Sequence, residues 1–146
     1  MSKSLIVYGS TTGNTETAAE YVAEGMESKE FDVELKNVTD IELKDLSNGY
    51  DVILFGCSTW GEEEIELQDD FIPLYESLED ADLKGKKVSV FGCGDSDYTF
   101  FCGAVDAIEE KLEKVGANVI GDCLKIDGDP QRAAITEWGK EIAEKV

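Results

Sequence analysis

The stretch Gly-Ser-Thr-Thr-Gly-Asn-Thr at residues 9–15 follows directly on an apolar, strand-like run at residues 5–8. Successive backbone N–H groups at the start of a helix bind an anion without a cationic side chain, and Gly13 lets the backbone close in. Further donors are the side chains of Ser10, Thr11, Thr12, Asn14 and Thr15. Because no lysine accompanies them, we predict a phosphate that is held rather than transferred. An ordinary capped helix start is the alternative interpretation.

Two aromatic residues stand in turns that follow other strand-like runs. Trp60 lies in the stretch Cys-Ser-Thr-Trp-Gly-Glu at residues 57–62, and Tyr98 lies in a turn rich in Gly, Asp and Ser at residues 93–103. Either residue alone could be an ordinary surface side chain. Because flat rings stack well on indole and phenol rings, the two together predict a planar heteroaromatic ligand between them. Together with the phosphate predicted above, this describes a planar ring tethered to a phosphate, and FMN matches that description.

Alternating strands and helices must position these turns. The strand-like runs are residues 5–8, 31–36, 52–55, 88–91 and 118–126. Three of them are short and apolar and are followed directly by Gly9, Gly56 and Gly92, which suits parallel strands covered on both faces. The second run alternates strictly between apolar and polar residues and suits an edge strand. The fifth run continues past Gly121 and Asp122.

Four segments show apolar residues at helical spacing. The first begins at Asn14 and runs to about residue 28. The second contains Leu67, Phe71, Leu74 and Leu78, and the third contains Val105, Ile108, Leu112 and Val115. The fourth contains Ile135, Trp138 and Ile142. We expect Gly116 to cap the third helix at its C-terminus. In the fourth we expect Asp129 to be the capping residue and Pro130 the first helical position. Residues 37–50 predict a loop with a short helical turn.

Five strands in strict alternation with four helices predict an α/β fold. The expected architecture is a single domain, residues 1–146, with a doubly wound, five-stranded parallel sheet in the order 2-1-3-4-5 and helices on both faces. In such a sheet, ligands bind beyond the carboxyl ends of the strands at the switch point between strands 1 and 3. The three turns described above follow these strand ends.

The composition excludes several classes of partner. With 33 Asp and Glu against 13 Lys and Arg, the formal net charge is -20, so nucleic acid and anionic membranes would be repelled. We find no membrane-spanning run and no signal-peptide pattern, and we expect a cytoplasmic monomer. Cysteines 57, 93, 102 and 123 form no C-x-x-C pair and the chain has no histidine, so we expect reduced thiols and no metal site.

Acidic residues are concentrated between Gly61 and Leu83, where no lysine or arginine occurs. The members of this acidic stripe are Glu62, Glu63, Glu64, Glu66, Asp69, Asp70, Glu76, Glu79, Asp80 and Asp82. The pattern predicts a surface that attracts a basic redox partner, with simple solvation as the alternative.

The three turns, in order and at the expected spacing, resemble those of the flavodoxin family, close to the short-chain type of sulfate-reducing bacteria. The resemblance rests on Gly-Ser-Thr-Thr-Gly-Asn-Thr at 9–15, Ser-Thr-Trp-Gly at 58–61 and Gly-Cys-Gly-Asp-Ser-Asp-Tyr at 92–98. It implies that Gly61 presents its carbonyl to flavin N5. The FMN-binding residues that we expect are Ser10, Thr11, Thr12, Gly13, Asn14, Thr15, Ser58, Thr59, Trp60, Gly61, Cys93, Gly94, Asp95, Tyr98, Phe101 and Cys102.

The predicted function is low-potential one-electron transfer by non-covalently bound FMN, which shuttles between semiquinone and hydroquinone. No cation lies in the three turns to neutralise a reduced ring, and no histidine or activated nucleophile suggests an enzyme. The partners that we expect are redox proteins with basic docking surfaces, such as cytochromes, ferredoxin-type reductases and hydrogenase systems. An FMN-dependent quinone or azo reductase and an anion-binding module without flavin are the alternatives.

Overall fold

The computed structural model describes residues 2–9, 14–47, 49–57, 59–60, 66–67, 71–81, 83–94, 103–127 and 130–146. Within these ranges, only the backbone is described at residues 43, 47, 59, 60, 66, 67, 94, 104 and 127. The predicted site residues Ser10, Thr11, Thr12, Gly13, Ser58, Gly61, Asp95, Tyr98, Phe101 and Cys102 lie outside the described residues.

A parallel sheet forms the centre of the fold. Its strands are β1 (Lys3–Gly9), β2 (Asp32–Asn37), β3 (Val52–Cys57), β6 (Lys87–Gly94), β7 (Asn118–Val119) and β8 (Leu124–Asp127). The order is β2-β1-β3-β6-β7, and β8 also pairs with β6. The predicted order 2-1-3-4-5 is therefore confirmed. The fifth strand is divided into β7 and β8, and both pair with β6.

Helices cover both faces of the sheet. They are α1 (Asn14–Glu27), α2 (Ile72–Ser77), α3 (Gly103–Lys114) and α4 (Arg132–Lys145). Successive side chains of a strand point to opposite faces, so Leu5 and Val7 of β1 join one buried cluster and Ile6 joins the other. The first cluster includes residues of α2 and α3, and the second includes residues of α1 and α4. The chain is thus a doubly wound α/β sheet.

Glycine allows two of the helices to approach closely. A Cβ atom added at Gly139 of α4 would lie 2.6 Å from the carbonyl oxygen of Val22 in α1, and one added at Gly25 would overlap the carbonyl of Thr136. At the entrance to α4, the Arg132 guanidinium pairs with the Glu24 carboxylate at 3.0 Å. These contacts fix α1 against α4, and so fix the direction in which the first turn of α1 faces.

Several predicted boundaries are confirmed. The alternating run at residues 31–36 corresponds to the edge strand β2, Asp32–Asn37, whose residues are alternately exposed and half-buried. Gly116 closes α3 with a positive φ of 86°, and residues 37–50 contain two short 3₁₀ helices, Val38–Asp40 and Leu43–Ser47. Strands β3 and β6 continue one and two residues beyond Gly56 and Gly92, because the parallel ladder extends that far.

Two predicted helix starts are wrong. Leu67 does not begin the second helix, because Glu66–Leu67 (β5) pairs antiparallel with Thr59–Trp60 (β4) as a short hairpin. Pro130 is not the first position of the last helix either. Gln131 is extended, with φ -98° and ψ 112°, and α4 begins at Arg132.

Candidate functional site

The carboxyl ends of three central strands lie side by side. Gly9 of β1 is the register partner of Cys57 in β3, and Gly56 is the partner of Phe91 in β6. The chain leaves each of these strands directly into one of the three turns predicted to bind the ligand. The structure therefore brings the starting points of all three turns to one edge of the sheet, at the switch point between β1 and β3.

Close packing of β3 and β6 forms the base of this edge. A Cβ atom added at Gly92 would overlap the carbonyl oxygen of Cys57 and would lie 2.7 Å from Cγ2 of Val105 in α3. A Cβ atom at Gly56 would overlap the Phe91 ring. Glycine at both positions lets the two strand ends come together below the predicted site.

Helix α1 begins at Asn14, directly after the segment predicted to hold the phosphate. Its first turn places four N–H groups without helical partners toward the carboxyl edge of the sheet, where they carry partial positive charge. Thr15 is fully buried, and its side chain forms a hydrogen bond with the Cys93 thiol near the end of β6. The predicted residues Asn14, Thr15 and Cys93 are thus brought to the same edge by α1 and β6.

The hairpin β4–β5 positions the backbone of the tryptophan turn. Thr59 is paired with Leu67, and Trp60 with Glu66. This hairpin lies next to β6 and α3. The local sequence pattern does not indicate the hairpin, because Leu67 fits the helical spacing of the residues that follow it.

The electrostatic environment of this edge is negative. The pKa of the half-buried Tyr8 hydroxyl is raised, first by burial and then by the charges of Glu16, Glu20 and Asp40. Each carboxylate disfavours an additional negative charge on the tyrosine. The same carboxylates would raise the energy of negative charge on any ligand held beside β1.

The chemistry of the donor set fits FMN. A buried helix start with hydroxyl and N–H donors suits a phosphate monoester, and ligands of such sheets bind beyond the strand ends beside it. In the described part of the chain, no group of three or more His, Cys, Asp or Glu residues could hold a metal ion. Two cavities of about 440 and 310 Å³ lie elsewhere, one lined by Lys86 and Lys87 and the other by Asp122 and Glu141.

The comparisons with known proteins agree with this geometry. A family model described as Flavodoxin matches residues 6–138. The chain belongs to the flavodoxin family. It is 82% identical to a flavodoxin of Maridesulfovibrio salexigens over 146 residues, with 100% of both chains covered. It is 52% identical over 144 residues to a flavodoxin of Nitratidesulfovibrio vulgaris, with 97% of each covered.

A solved structure shows the same likeness. The crystal structure of oxidised flavodoxin 1 from Bacillus cereus matches with a TM-score of 0.89 at 33% identity, and 99% of each chain is covered. The resemblance to the flavodoxins of sulfate-reducing bacteria is confirmed by the two bacterial relatives. Flavodoxins are FMN-binding, low-potential electron carriers for redox partners, so the chain is an electron-transfer flavoprotein and not an enzyme.

The described cysteines Cys57, Cys93 and Cys123 form no disulfide with one another. Burial raises the pKa of Cys93 to about 11. For Cys123, burial and the neighbouring Glu109 carboxylate raise the pKa to about 12. Since the thiolate is the nucleophile, both thiols hold their proton at neutral pH and are poor nucleophiles.

We expect Cys93 of the folded protein to react with iodoacetamide about a hundredfold more slowly than an unperturbed thiol at pH 8, and Cys123 more slowly still. The rate should rise about tenfold per pH unit below the raised pKa. Mass spectrometry of the digested protein measures each cysteine separately. Labelling in urea is the control, because unfolding restores an ordinary pKa. Equal rates for folded and unfolded protein would contradict the expectation.

Within the described ranges, no helix is both long and apolar enough to cross a membrane.

Proposed function

We propose that the chain is a single domain that holds FMN at the carboxyl edge of the sheet. The observation that carries the proposal is the convergence of the ends of β1, β3 and β6 on the N-terminus of α1. The proposed phosphate ligands are Ser10, Thr11, Thr12, Gly13, Asn14 and Thr15. The proposed ring and ribityl contacts are Ser58, Thr59, Trp60, Gly61, Cys93, Gly94, Asp95, Tyr98, Phe101 and Cys102.

FMN supplies the one-electron chemistry when it is bound. The proposed role of the chain is to set the relative free energies of the redox states of the bound FMN. Gly61 offers a peptide that can turn its carbonyl toward a proton on the ring, because glycine changes backbone conformation at low cost. Trp60 and Tyr98 exclude water from the two ring faces, and Glu16 and Glu20 contribute to a negative field that disfavours a second electron.

The proposed partners are redox proteins with basic docking surfaces. The acidic stripe follows the tryptophan turn, and the members whose side chains are described, Glu76, Glu79 and Asp80, lie on or beside α2. Lys111 pairs with Glu79 at 2.8 Å, which neutralises one member and leaves the stripe predominantly acidic. We further propose that the carrier works in the cytoplasm as a monomer, since its net charge of -20 opposes self-association.

A reductive titration of the purified protein tests the proposal. We expect a yellow flavin spectrum and two separate one-electron steps, with the second step at the lower potential. Free FMN in the same buffer is the control, because it shows what the cofactor does without the chain. A single two-electron step would contradict the proposed tuning, and a chain that takes up no added FMN would contradict the proposed site.

Apoprotein variants test the assignment of individual residues. Replacing Trp60 by alanine should weaken FMN binding by about 1–3 kcal/mol, the range measured for stacking of a nucleic-acid base on an aromatic side chain. The quenching of flavin fluorescence measures the affinity. Trp138 offers a matched tryptophan outside the site, since it is buried against Phe91 and donates to the carbonyl of Asp122. Replacing Trp138 by phenylalanine should lower stability with little change in FMN affinity.

A further inference from the structure

One large apolar side chain faces solvent in the part of the chain that the structure describes. Ile72, the first residue of α2, is 36% exposed. Pro73 beside it is also exposed, and Tyr75 is half-buried. A single exposed isoleucine is common on protein surfaces. Ile72 differs because apolar neighbours extend it and because it lies inside the acidic stripe, between Asp70 and Glu76.

Two buried neighbours determine where Ile72 lies on the molecule. Phe71 is fully buried and packs edge-on against Phe55 of β3, with the ring centroids 6.4 Å apart. Leu74 belongs to the same buried cluster. Because these two residues hold one side of α2 against the sheet, Ile72 lies on the outer side. Phe55 is two residues before the end of β3, so Ile72 lies near the carboxyl edge, where the flavin site is proposed.

Helical spacing places carboxylates on the same side of the chain as Ile72. Side chains three and four residues apart are neighbours on a helix surface, so Tyr75 and Glu76 follow Ile72. Glu79 and Asp80 continue this row in the short 3₁₀ turn after α2. All three acidic residues are exposed. Apolar residues at the centre and polar residues at the rim are typical of a protein–protein interface.

Lys111 of α3 holds two side chains of this surface in place. Its ammonium group pairs with the Glu79 carboxylate at 2.8 Å and lies 5.3 Å from the centre of the Tyr75 ring. The Lys111 side chain is only 17% exposed, so the surface presents little of its positive charge. Because Tyr75 and Glu79 already have a partner, less side-chain entropy is lost when another protein covers them.

We propose that Ile72, Pro73 and Tyr75 form the apolar contact of the docking surface for the basic redox partner. This inference rests on the proposed function and deepens it, because it assigns the lifetime of the complex to residues other than the carboxylates. Attraction between charges raises the rate of encounter, whereas most differences in affinity arise from the rate of dissociation. A second copy of this chain would bring a net charge of -20 against the same carboxylates, whereas a basic protein complements them.

Replacing Ile72 by threonine tests the apolar contact, because threonine keeps the branch at Cβ and loses apolar surface. The probe is a small basic c-type cytochrome, titrated into the FMN-loaded protein with both proteins oxidised. We expect the dissociation constant to rise about fivefold. The factor should be the same at ionic strengths of about 0.01 M and about 0.1 M, because burial of apolar surface is not screened. Calorimetric titration measures it.

The rate constants give a second readout. Stopped-flow mixing of the same two proteins should show a dissociation rate constant about fivefold higher in Ile72→Thr, with an association rate constant within about twofold of wild type. Glu76→Gln changes charge at the same surface and should act in the opposite way. It should lower the association rate constant, by a factor that decreases as salt is added.

Two further variants serve as matched controls. Ile72→Leu keeps an apolar side chain of the same volume and should retain the wild-type affinity. Val33→Thr introduces threonine at a half-buried apolar position of the edge strand β2 and should leave the affinity unchanged. Urea unfolding and the flavin spectrum show that each variant is folded and loaded with FMN.

Three results would overturn the inference. An unchanged dissociation constant in Ile72→Thr would show that the partner does not bury this residue. A loss of affinity that disappears with salt would assign the effect to charge. Light scattering that finds a wild-type dimer and a monomeric Ile72→Thr would assign the surface to a second copy of the chain. If FMN-loaded wild-type protein does not bind the cytochrome at low salt, the proposed class of partner itself fails, which is distinct from the other three results.

Discussion

Replacing Gly92 by alanine is expected to lower the free energy of unfolding by about 3 kcal/mol, at the upper end of the usual cost of overpacking. The added methyl group would overlap the carbonyl oxygen of Cys57, and the second nearest atom would be Cγ2 of Val105 at 2.7 Å. Urea unfolding of the apoprotein measures the change. A backbone atom cannot turn aside as a side chain can, so β3 and β6 would have to separate at their carboxyl ends.

The same substitution should weaken FMN binding by more than about tenfold, or about 1.4 kcal/mol. The turn that contains Trp60 follows β3, and the turn that contains Tyr98 follows β6. Any increase in the distance between these strand ends would widen the proposed ring site between the two turns. Fluorescence titration of the folded variant at low temperature measures this effect separately from stability.

Gly56 offers a matched control for this argument. A methyl group added there would overlap the ring of Phe91, which is a side chain rather than backbone. Gly56→Ala should therefore be destabilising alone and should recover part of its stability when Phe91 is shortened to leucine. No side-chain substitution should rescue Gly92→Ala in the same way. A Gly92→Ala variant with normal stability and normal FMN affinity would show that the strand ends yield easily.

The main features of the fold are predictable from the sequence because each strand is buried in a different way. Strands β1, β3 and β6 are covered on both faces and appear as continuous apolar runs. Among the described strands, β2 pairs with β1 alone, so its residues alternate. Those two patterns, together with right-handed crossovers, lead to the observed order. The carboxyl edge as the location of the site follows from the same order.

The errors arise where tertiary contacts override local preference. Leu67 is four residues before Phe71 and fits a helical stripe, but backbone pairing with Thr59 places it in a hairpin strand. Proline is favourable at the first position of a helix, but here α4 begins two residues later, at Arg132. Arg132 pairs with Glu24 of α1, and a partner so far away in the chain leaves no periodic signal.

The contact between Thr15 and Cys93 could not be predicted from the sequence, for a related reason. Both residues belong to recognisable motifs, so each was predicted at the site. Their proximity depends on the angle at which α1 crosses the sheet, and that angle depends on the close packing of α1 against α4 at Gly25 and Gly139. Composition and periodicity report which face of an element is buried, and not its angle to the elements beneath it.

The distribution of charge determines which surface a partner meets first. Lys86 and Lys87 lie at the start of β6, at the amino ends of the strands. The three turns that follow the carboxyl ends of β1, β3 and β6 contain no lysine or arginine. At that edge, burial and then the charges of Glu16, Glu20 and Asp40 raise the pKa of Tyr8. A basic partner would therefore be drawn toward the proposed flavin site, and the encounter should depend strongly on salt.

Converting five members of the acidic stripe to amides is expected to slow electron transfer to a small basic cytochrome about tenfold or more at low ionic strength. The substitutions are Glu62→Gln, Glu63→Gln, Glu64→Gln, Asp69→Asn and Asp70→Asn. Stopped-flow kinetics with the pre-reduced protein measures the second-order rate constant. The difference should disappear near 1 M salt, where the screening length is about 3 Å.

The matched control removes the same charge from exposed positions outside the stripe, namely Glu27, Glu30, Asp32, Glu113 and Glu141. If the stripe steers the partner, this control should retain most of the wild-type rate although its net charge also changes by five. Equal slowing in both variants would mean that only the total charge matters. Unchanged rates in both would mean that the stripe contributes to solubility alone, because an attractive surface cannot be neutralised at low salt without loss of encounter rate.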